Sequence, residues 1–360
     1  MRALITILDN ITETSMPFNE FVLYRANHYR NEKQILIICG SKNELPKVEL
    51  PKNIEIKYSG RKLLNIRKTI KETIRELKKE NITYVVHMHQ VQSGFLAETA
   101  MLGTGFWKKV LFTVHSTFSG YKFHNKFLSF INALMAYRIT CVSNTSYQDY
   151  PEIIKRIKKR RIQAIQNGVD TERIDCILSA SHQETHDSID FIYVARMIPL
   201  KNHKFLVNVL THCNENVRFI FVGAEDAEQS IQKEAEKLRV ADRIIFTGII
   251  PRNEVFKQLQ NADYYISSST LEGLPVSVLE AMYCGLPCIL SDIPQHREVA
   301  ANEAVILPYD IEKWASEINR LSQIKRREWQ KMSEKIRNYA QSSFSLEVMH
   351  KKYDAVYDLL

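Results

Sequence analysis

Hydrophobic positions along the chain follow two alternating patterns. Short runs rich in Val, Ile, Phe and Tyr, which are typical of buried strands, are separated by longer stretches whose apolar residues recur at helical spacing. Strand-like runs in the first half are 3–8, 34–39, 54–58, 82–87, 110–115, 138–142 and 162–166. Those in the second half are 191–195, 217–222, 243–247, 263–267, 287–291 and 304–307. Strands that alternate with helices form parallel sheets, so the pattern predicts two Rossmann-like, doubly wound α/β units.

A polar stretch, 179–188, separates the two sets of strands and predicts a hinge. With 360 residues the chain is long enough for two α/β domains, which we place at 1–172 and 185–344. The last stretch, 345–360, has helical spacing although the second set of strands is already complete. We therefore expect a C-terminal helix that crosses back to the first domain. Two such domains that face one another form a cleft at the carboxyl ends of their strands.

Composition is that of a folded globular protein, with 45% hydrophobic and 25% charged residues. The first nine residues are typical of a strand and lack the basic and long apolar regions of a signal peptide. No run approaches the roughly 18 uncharged apolar residues that cross a bilayer. The six cysteines are scattered, without a C-x-x-C pair. We expect buried thiols and a cytoplasmic protein.

Charge differs between the two halves. Residues 1–170 contain 27 Lys and Arg against 14 Asp and Glu, whereas the remainder contains 22 against 27. The basic first half, and above all the clusters at 61–79 and 155–161, suits an anionic acceptor or the inner face of a membrane, although solvated helix faces have the same composition. The apolar helix predicted at 125–137 could touch lipid, but core packing is favoured. Nucleic acid is not expected, because no recognition motif accompanies the charge.

The most informative stretch, 267–299, is predicted to run strand, loop, helix, turn and strand. Glu280 falls on the apolar side of the helix, and a buried carboxylate needs hydrogen-bond partners, which adjacent ribose hydroxyls would supply. Glu272 lies just before the helix. The loop that it opens, with Gly273 and Leu274, presents backbone N–H groups at a helix N-terminus, which suits a diphosphate. The structural alternative is one capping glutamate and one satisfied core glutamate.

A second constellation follows the first strand of the second domain, where Arg196 and Lys201 leave the same loop. Two cations there can neutralise the charge that develops on a departing diphosphate, although such residues are often merely exposed. The chain has no Asp-x-Asp pair, Walker loop or G-x-G-x-x-G motif. His87 and His89 share a strand face and could join His115 in a zinc site, but hydrogen bonds to substrate or backbone are favoured. We expect no metal and no cofactor.

These residues resemble a known family. Arg196-x4-Lys201, followed by Glu272 and Glu280 with seven residues between them, is similar to the signature of family-four glycosyltransferases. The sequence N-G-V-D at 167–170, V-S at 142–143, and D-I-P at 292–294 with Glu298 resemble further family motifs in family order. The resemblance implies the GT-B fold of two Rossmann-like domains. The loop at 9–17 departs from the family because it has no glycine. The Thr14 and Ser15 hydroxyls could replace the missing diphosphate contact, or the loop could instead be shaped for the acceptor.

The resemblance also implies roles. Arg196 and Lys201 would hold the donor diphosphate, Glu280 the ribose hydroxyls, and Glu272 a hydroxyl of the transferred sugar. Gly273 and Leu274 would contribute backbone contacts. The base would lie at Gly248 and Ile249, and His115 would face the donor sugar. The catalytic set implied in this way is Glu272, His115, Arg196 and Lys201, and the reaction would retain the anomeric configuration without a protein nucleophile.

The sequence therefore predicts a metal-independent retaining hexosyltransferase of bacterial surface polysaccharide (capsule or lipopolysaccharide) assembly. It would move a hexose from a nucleotide diphosphate sugar, favoured as a UDP-sugar, to a glycan or lipid-linked glycan. Contact of the basic first domain with the anionic inner face of the cell membrane is part of this expectation. Two alternatives stay open, a GT-B epimerase that acts on the nucleotide sugar itself and a non-catalytic two-domain sugar or nucleotide binder.

Overall fold

The structure is a computed structural model that describes residues 1–10, 17–40, 50–180, 188–225 and 228–360. These residues form two compact units, one comprising Met1–Asn167 and Leu346–Leu360 and the other Gly168–Ser345. The loop with Thr14 and Ser15 lies outside the described residues, as does most of the predicted hinge at 179–188. The chain passes from the first unit to the second between Asn167 and Gly168.

The first unit is built on a seven-stranded parallel sheet with the strand order β3-β2-β1-β4-β5-β6-β7. Its strands are β1 Arg2–Leu8, β2 Glu32–Ile38, β3 Ile54–Tyr58, β4 Thr83–Met88, β5 Val110–Val114, β6 Arg138–Cys141 and β7 Ile162–Ala164. Its helices before the crossing to the second unit are α1 Pro17–His28, α2 Leu63–Lys79, α3 Val91–Met101, α4 Phe123–Met135, α5 Asn144–Asp149 and α6 Glu152–Lys158. Isoleucines and valines of the strands form the core, because both faces of a parallel sheet are covered by helices.

The second unit has a six-stranded parallel sheet with the order β10-β9-β8-β11-β12-β13. Its strands are β8 Ile189–Val194, β9 Val217–Val222, β10 Ile244–Gly248, β11 Tyr264–Ser267, β12 Cys288–Ser291 and β13 Val305–Leu307. Its helices are α7 Thr171–Ala180, α8 His203–Leu210, α9 Ser230–Lys237, α10 Arg252–Asn261, α11 Val276–Tyr283, α12 Pro294–Ala300, α13 Ile311–Leu321 and α14 Arg326–Phe344. All thirteen predicted strands are present, and each observed end lies within two residues of the predicted one.

The last helix, α15 (Leu346–Tyr357), belongs to the first unit, as predicted. Its apolar residues Met349 and Tyr353 pack in the same core as Phe21 of α1. The fully buried Arg25 guanidinium ties the two helices together, because its Nη2 donates to an Asp354 carboxylate oxygen at 2.9 Å. The fold class, two doubly wound α/β domains with a returning C-terminal helix, is therefore confirmed.

Two surface features differ from the expectations. The cysteines are not all buried, because Cys176 is exposed and Cys284 is partly exposed. Helix α4 buries Leu128 and Ala133 in accordance with the predicted core packing, yet its opposite side leaves Phe123 86% exposed and Phe127 56% exposed. In the described part of the chain, no helix combines the length and the apolar character needed to span a bilayer.

Candidate functional site

The strand order of the second sheet reverses between β8 and β11, which are neighbours although they are distant in sequence. In doubly wound sheets, ligands bind outside the carboxyl ends of the strands at such a switch point. The loop after β8 carries Arg196 and Lys201, and the loop after β11 carries Glu272. Three of the predicted site residues therefore lie on the two loops that flank this position.

Lys201 and Glu272 form an ion pair between these two loops, through Nζ and Oε1. Both side chains are partly shielded from solvent, with 21% and 12% of their areas exposed. An ion pair that is neither fully buried nor fully exposed holds its charges in place and leaves both of them within reach of a ligand. The structure thus brings together one of the predicted cations and one of the predicted acids.

Hydrogen bonds fix the two loops against each other beneath this pair. The Thr270 backbone N–H donates to the Leu200 carbonyl at 2.8 Å, and the Ser268 hydroxyl donates to the Lys201 carbonyl at 3.1 Å. The buried Tyr193 hydroxyl also donates to the Lys201 carbonyl at 3.1 Å and shares a 2.7 Å hydrogen bond with the Ser269 hydroxyl. The backbone around Lys201 is therefore preorganised, which is the condition under which a charge stabilises a transition state well.

Arg196 lies on the same loop as Lys201, but its side chain is exposed and makes no hydrogen bond or ion pair with any other described residue. Its guanidinium is available to an anion. The loop passes close to Gly223, whose φ of +147° brings the position of a Cβ to 2.2 Å from the Ala195 carbonyl oxygen. Only glycine fits there, so Gly223 shapes the loop that carries Arg196. The role of Gly223 was not predicted from the sequence.

Glu280 is 2% exposed on α11, as the apolar pattern predicted, and its partner is a residue that the sequence analysis missed. The Arg252 guanidinium, in the first turn of α10, forms an ion pair with the Glu280 carboxylate. Arg252 also lies over the Phe256 ring, with its Cζ 4.6 Å from the ring centroid. The only sequence signal for this arginine is its place directly after the loop of Gly248 and Ile249. A buried carboxylate and a shielded guanidinium stabilise each other here, so the pair is part of the site's architecture.

The remaining predicted donor-binding positions also lie in loops at the carboxyl edge of the second sheet. Gly248 ends β10 with a φ of +64°, and Ile249, which follows it, is 72% exposed. Gly273 and Leu274 precede α11, and Leu274 is buried at 7% exposure. No atom lies within 4 Å of the position that a Cβ would take at Gly248, so a ligand can approach the backbone closely there. The roles of these four residues stay predictions.

His115 directly follows β5 in the first unit, and its imidazole Nε2 lies 3.1 Å from Nδ1 of His89, which directly follows β4. Burial lowers the pKa of His115 to about 4, so this ring is neutral at pH 7. His87 uses both of its ring nitrogens within the unit, at 2.7 Å from the Tyr357 hydroxyl and 2.7 Å from the Thr113 hydroxyl. Hydrogen bonds within the first unit therefore occupy both ring nitrogens of His87. The expectation that the site works without a metal stays a prediction.

Helices α4 and α6 of the first unit pack side by side and expose apolar residues next to basic ones. Phe123 and Phe127 are one helical turn apart on α4, and Ile153 and Ile157, 54% and 56% exposed, are one turn apart on α6. Arg156, Lys159 and Arg160 in and just after α6 are exposed. We call these seven residues the apolar–basic surface. Exposed apolar side chains that gather into one contiguous patch mark a site of interaction with a protein or a membrane.

Two family models match the chain, in adjacent regions. Residues 22–173 match the model "Glycosyltransferase Family 4", and residues 177–343 match the model "Glycosyl transferases group 1". The first region carries His89 and His115, and the second carries Arg196, Lys201, Glu272 and Glu280. Together these two models match most of the chain, which therefore belongs to the glycosyltransferases. The fold that the resemblance implied is thereby supported by sequence as well as by structure.

Individual relatives are distant. A phosphatidylinositol N-acetylglucosaminyltransferase subunit of Arabidopsis thaliana is 30% identical over 64% of this chain, which spans about half (52%) of the plant protein. The Escherichia coli UDP-Gal:alpha-D-GlcNAc-diphosphoundecaprenol alpha-1,3-galactosyltransferase is 26% identical over 67% of this chain and 66% of its own length. Among solved structures, Anabaena HepE in complex with UDP-glucose superposes with a TM-score of 0.78 at 13% identity over the full length of both chains.

Proposed function

We propose that this GT-B protein transfers a hexose from a UDP-sugar to a glycan or lipid-linked glycan, with retention of the anomeric configuration. The observation that carries the proposal is the Lys201–Glu272 ion pair at the switch point of the second sheet. A cation there would neutralise a diphosphate, and an acid beside it would accept a hydrogen bond from a sugar hydroxyl. The distant E. coli relative is named for a UDP-galactose donor and a diphosphoundecaprenol acceptor, and HepE was crystallised with UDP-glucose.

In the proposed reaction, the bond between the anomeric carbon and the β-phosphate oxygen breaks while the acceptor oxygen bonds to that carbon on the same face. The acceptor's proton passes to the departing phosphate oxygen, so that UDP leaves and no protein nucleophile takes part. Lys201 and Arg196 would stabilise the negative charge that grows on the diphosphate. Glu272 would orient the sugar ring, and Glu280, held by Arg252, would bind the ribose hydroxyls.

Thermal stabilisation by a panel of nucleotide sugars tests the donor first, because a ligand that binds only the folded state raises the melting temperature. UDP-glucose, UDP-galactose, UDP-N-acetylglucosamine and GDP-mannose form the panel. A stabilising donor is then incubated with a bacterial lipid extract that contains the acceptor. Transfer is supported if UDP is released and the mass of an acceptor increases by one sugar. Conversion of the donor to its epimer without acceptor would indicate an epimerase, and stabilisation without turnover would indicate a binder. Either result rejects the proposal.

We further propose that the first unit contacts an anionic membrane through the apolar–basic surface, which would place the enzyme at the inner face of the cell membrane during surface polysaccharide assembly. Aromatic side chains insert at the level of lipid headgroups, and arginine and lysine attract anionic lipid. Cosedimentation with phosphatidylglycerol vesicles tests this. We expect binding that falls with added salt and that is lost in the double variant F123S/F127S. Equal binding of this variant and the unaltered protein would exclude the surface.

A further inference from the structure

The carboxyl edge of the first sheet holds a pair of imidazoles whose arrangement constrains both members. His89 and His115 each directly follow a strand, and β4 and β5 are neighbours in register, with Met88 opposite Phe112. Extending this register by one residue sets Thr113 opposite His89, so His115 follows two residues further on, on the same face, and Nδ1 of His89 lies 3.1 Å from Nε2 of His115. The contact therefore joins residues that follow two hydrogen-bonded neighbouring strands.

Aromatic neighbours exclude water from this pair. The Phe18 ring lies 5.8 Å from the His115 ring, edge to face, and the Phe21 ring lies 5.0 Å from the His89 ring. Burial lowers the pKa of His89 well below 6.5, as it lowers that of His115 to about 4. Both rings are neutral at pH 7. One neutral imidazole must then donate and the other accept, so the tautomer of one ring fixes the tautomer of the other.

Packing holds the His89 ring in place, and the outer nitrogen of each ring of the pair, His89 Nε2 and His115 Nδ1, is buried without a hydrogen-bond partner among the described residues. The His89 ring lies against the His87 ring, with centroids 3.8 Å apart, and His87 is itself held by Tyr357 of α15 and by Thr113. His115 Nδ1 is buried and has no hydrogen-bond partner among the described residues. A buried nitrogen without a partner is costly, and a ligand hydroxyl would satisfy it whether the nitrogen donates or accepts.

We propose that His89 is a positioning residue, whose Nδ1 fixes the orientation and the tautomer of His115 so that Nδ1 of His115 is presented to a ligand hydroxyl at this edge of the first sheet. The identity of this ligand rests on the proposed function. The hydrogen bond between the two rings and the fixed tautomer do not, because they are properties of the protein without a ligand. The two parts can therefore fail separately.

Side chains that replace one imidazole nitrogen at a time provide the test. An asparagine amide reaches the position of Nδ1, whereas a glutamine amide reaches that of Nε2, so His89→Asn keeps the contact with His115, and His89→Gln and His89→Leu lose it. With the donor that the screen identifies, we expect His89→Gln and His89→Leu to lower kcat about tenfold with little change in KM, the effect of one hydrogen bond. His89→Asn should restore most of the rate.

A spectroscopic measurement on the ligand-free protein separates positioning from a general structural role. Long-range proton–nitrogen correlation spectra of protein labelled with ¹⁵N-histidine report the tautomer of each ring, and the signal lost in His115→Gln identifies His115. We expect a single tautomer in the unaltered protein and in His89→Asn, and a switched or mixed tautomer in His89→Gln and His89→Leu. An unchanged His115 signal in a folded His89→Gln or His89→Leu variant would overturn the proposal. Absence of transfer by the unaltered protein would instead overturn the proposed function.

Discussion

The carboxyl edge of the second sheet carries charged side chains in pairs, whereas that of the first sheet carries a pair of neutral imidazoles. Lys201 with Glu272, and Arg252 with Glu280, combine opposite charges in partly or fully shielded positions. His89 and His115 combine two groups whose pKa values are lowered by burial. The second sheet is therefore suited to a charged ligand portion such as a diphosphate, and the first to neutral hydroxyl groups.

Two parallel sheets of the same fold class therefore carry edges of different chemistry. Neutral imidazoles recognise a hydroxyl without a net charge, because each ring offers one donor and one acceptor. Each sheet thus contributes a type of interaction that the other lacks in the described parts of its edge.

The largest expected effect comes from removing a charge at the second edge. Lys201→Ala and Glu272→Ala should each lower kcat at least about a hundredfold, the usual cost of losing one transition-state charge contact. Lys201→Ala lacks the cation proposed to stabilise the diphosphate, and Glu272→Ala lacks the carboxylate proposed to orient the sugar. Steady-state kinetics with the donor found in the screen measure the effect.

Lys204→Ala is the matched control, because Lys204 is exposed on α8, three residues after Lys201. This variant should keep full activity. Near-normal turnover in both Lys201→Ala and Glu272→Ala would show that the ion pair only stabilises the two loops, and the proposed active site would have to be abandoned.

Most of the fold and part of the site could be predicted from the sequence. The strands stand out because short Val- and Ile-rich runs such as 217–222 lie between polar turns, and the returning helix stands out because its apolar spacing continues after the last strand. Arg196, Lys201 and Glu272 could be placed because residues after parallel strands gather at one edge. These signals are all local in sequence.

Contacts between distant side chains could not be predicted. Arg252 lies 28 residues before Glu280 with no periodic pattern to link them, and their pairing depends on how α10 and α11 pack. His89 was grouped with His87 and His115 as a possible zinc site, but its hydrogen bond to the His115 ring was not predicted, because that contact depends on how β4 and β5 pair. Exposure of Phe123 was missed because an apolar residue near a helix start is typical of the core as well as of a surface.

Acid should destabilise the first unit more than the second. Among the described residues, buried histidines with lowered pKa values are His87, His89, His115 and His350 in the first unit and His203 and His296 in the second. Above pH 6.5 these rings are neutral in both the folded and the unfolded chain, so they add no pH dependence. Below pH 6.5 the unfolded chain binds protons that the folded chain does not, and stability falls. His115, with a folded pKa of about 4, would cost about 2 kcal/mol by pH 5.

Hydrogen exchange measured by mass spectrometry at pH 7 and pH 5 can follow peptides from β4 and β5 separately from those of β8 and β9. After correction for intrinsic exchange rates, protection of the first pair should fall more. A parallel loss in both units would show that the histidine clusters do not govern acid stability. Replacement of His350 by glutamine, which cannot be protonated, should reduce the loss in the first unit only.

The smallest effect is expected at the ribose position. Arg252→Ala and Glu280→Ala should each weaken UDP binding about tenfold, since each removes one partner of a shielded pair and leaves the other to disturb the ribose site. Isothermal titration calorimetry with UDP measures this without any transfer. The UDP affinity of Arg252→Lys, which keeps the charge but not the planar guanidinium, should lie between that of the unaltered protein and that of Arg252→Ala. Arg327→Ala, which changes an exposed arginine of α14, is the control and should bind UDP with unaltered affinity.

The double variant decides whether Arg252 and Glu280 act together. If Arg252 serves the ligand only by holding Glu280, the loss in the double variant should match the larger single loss, because the second change removes nothing that the first has left working. If the losses add, Arg252 touches the nucleotide independently, for example at the base beside Gly248. A loss in the double variant that matches the larger single loss would mean that Arg252 positions Glu280, as His89 is proposed to position His115. The carboxyl edges of the two sheets would then differ in charge, but at each of them a buried partner would hold the group that binds the ligand.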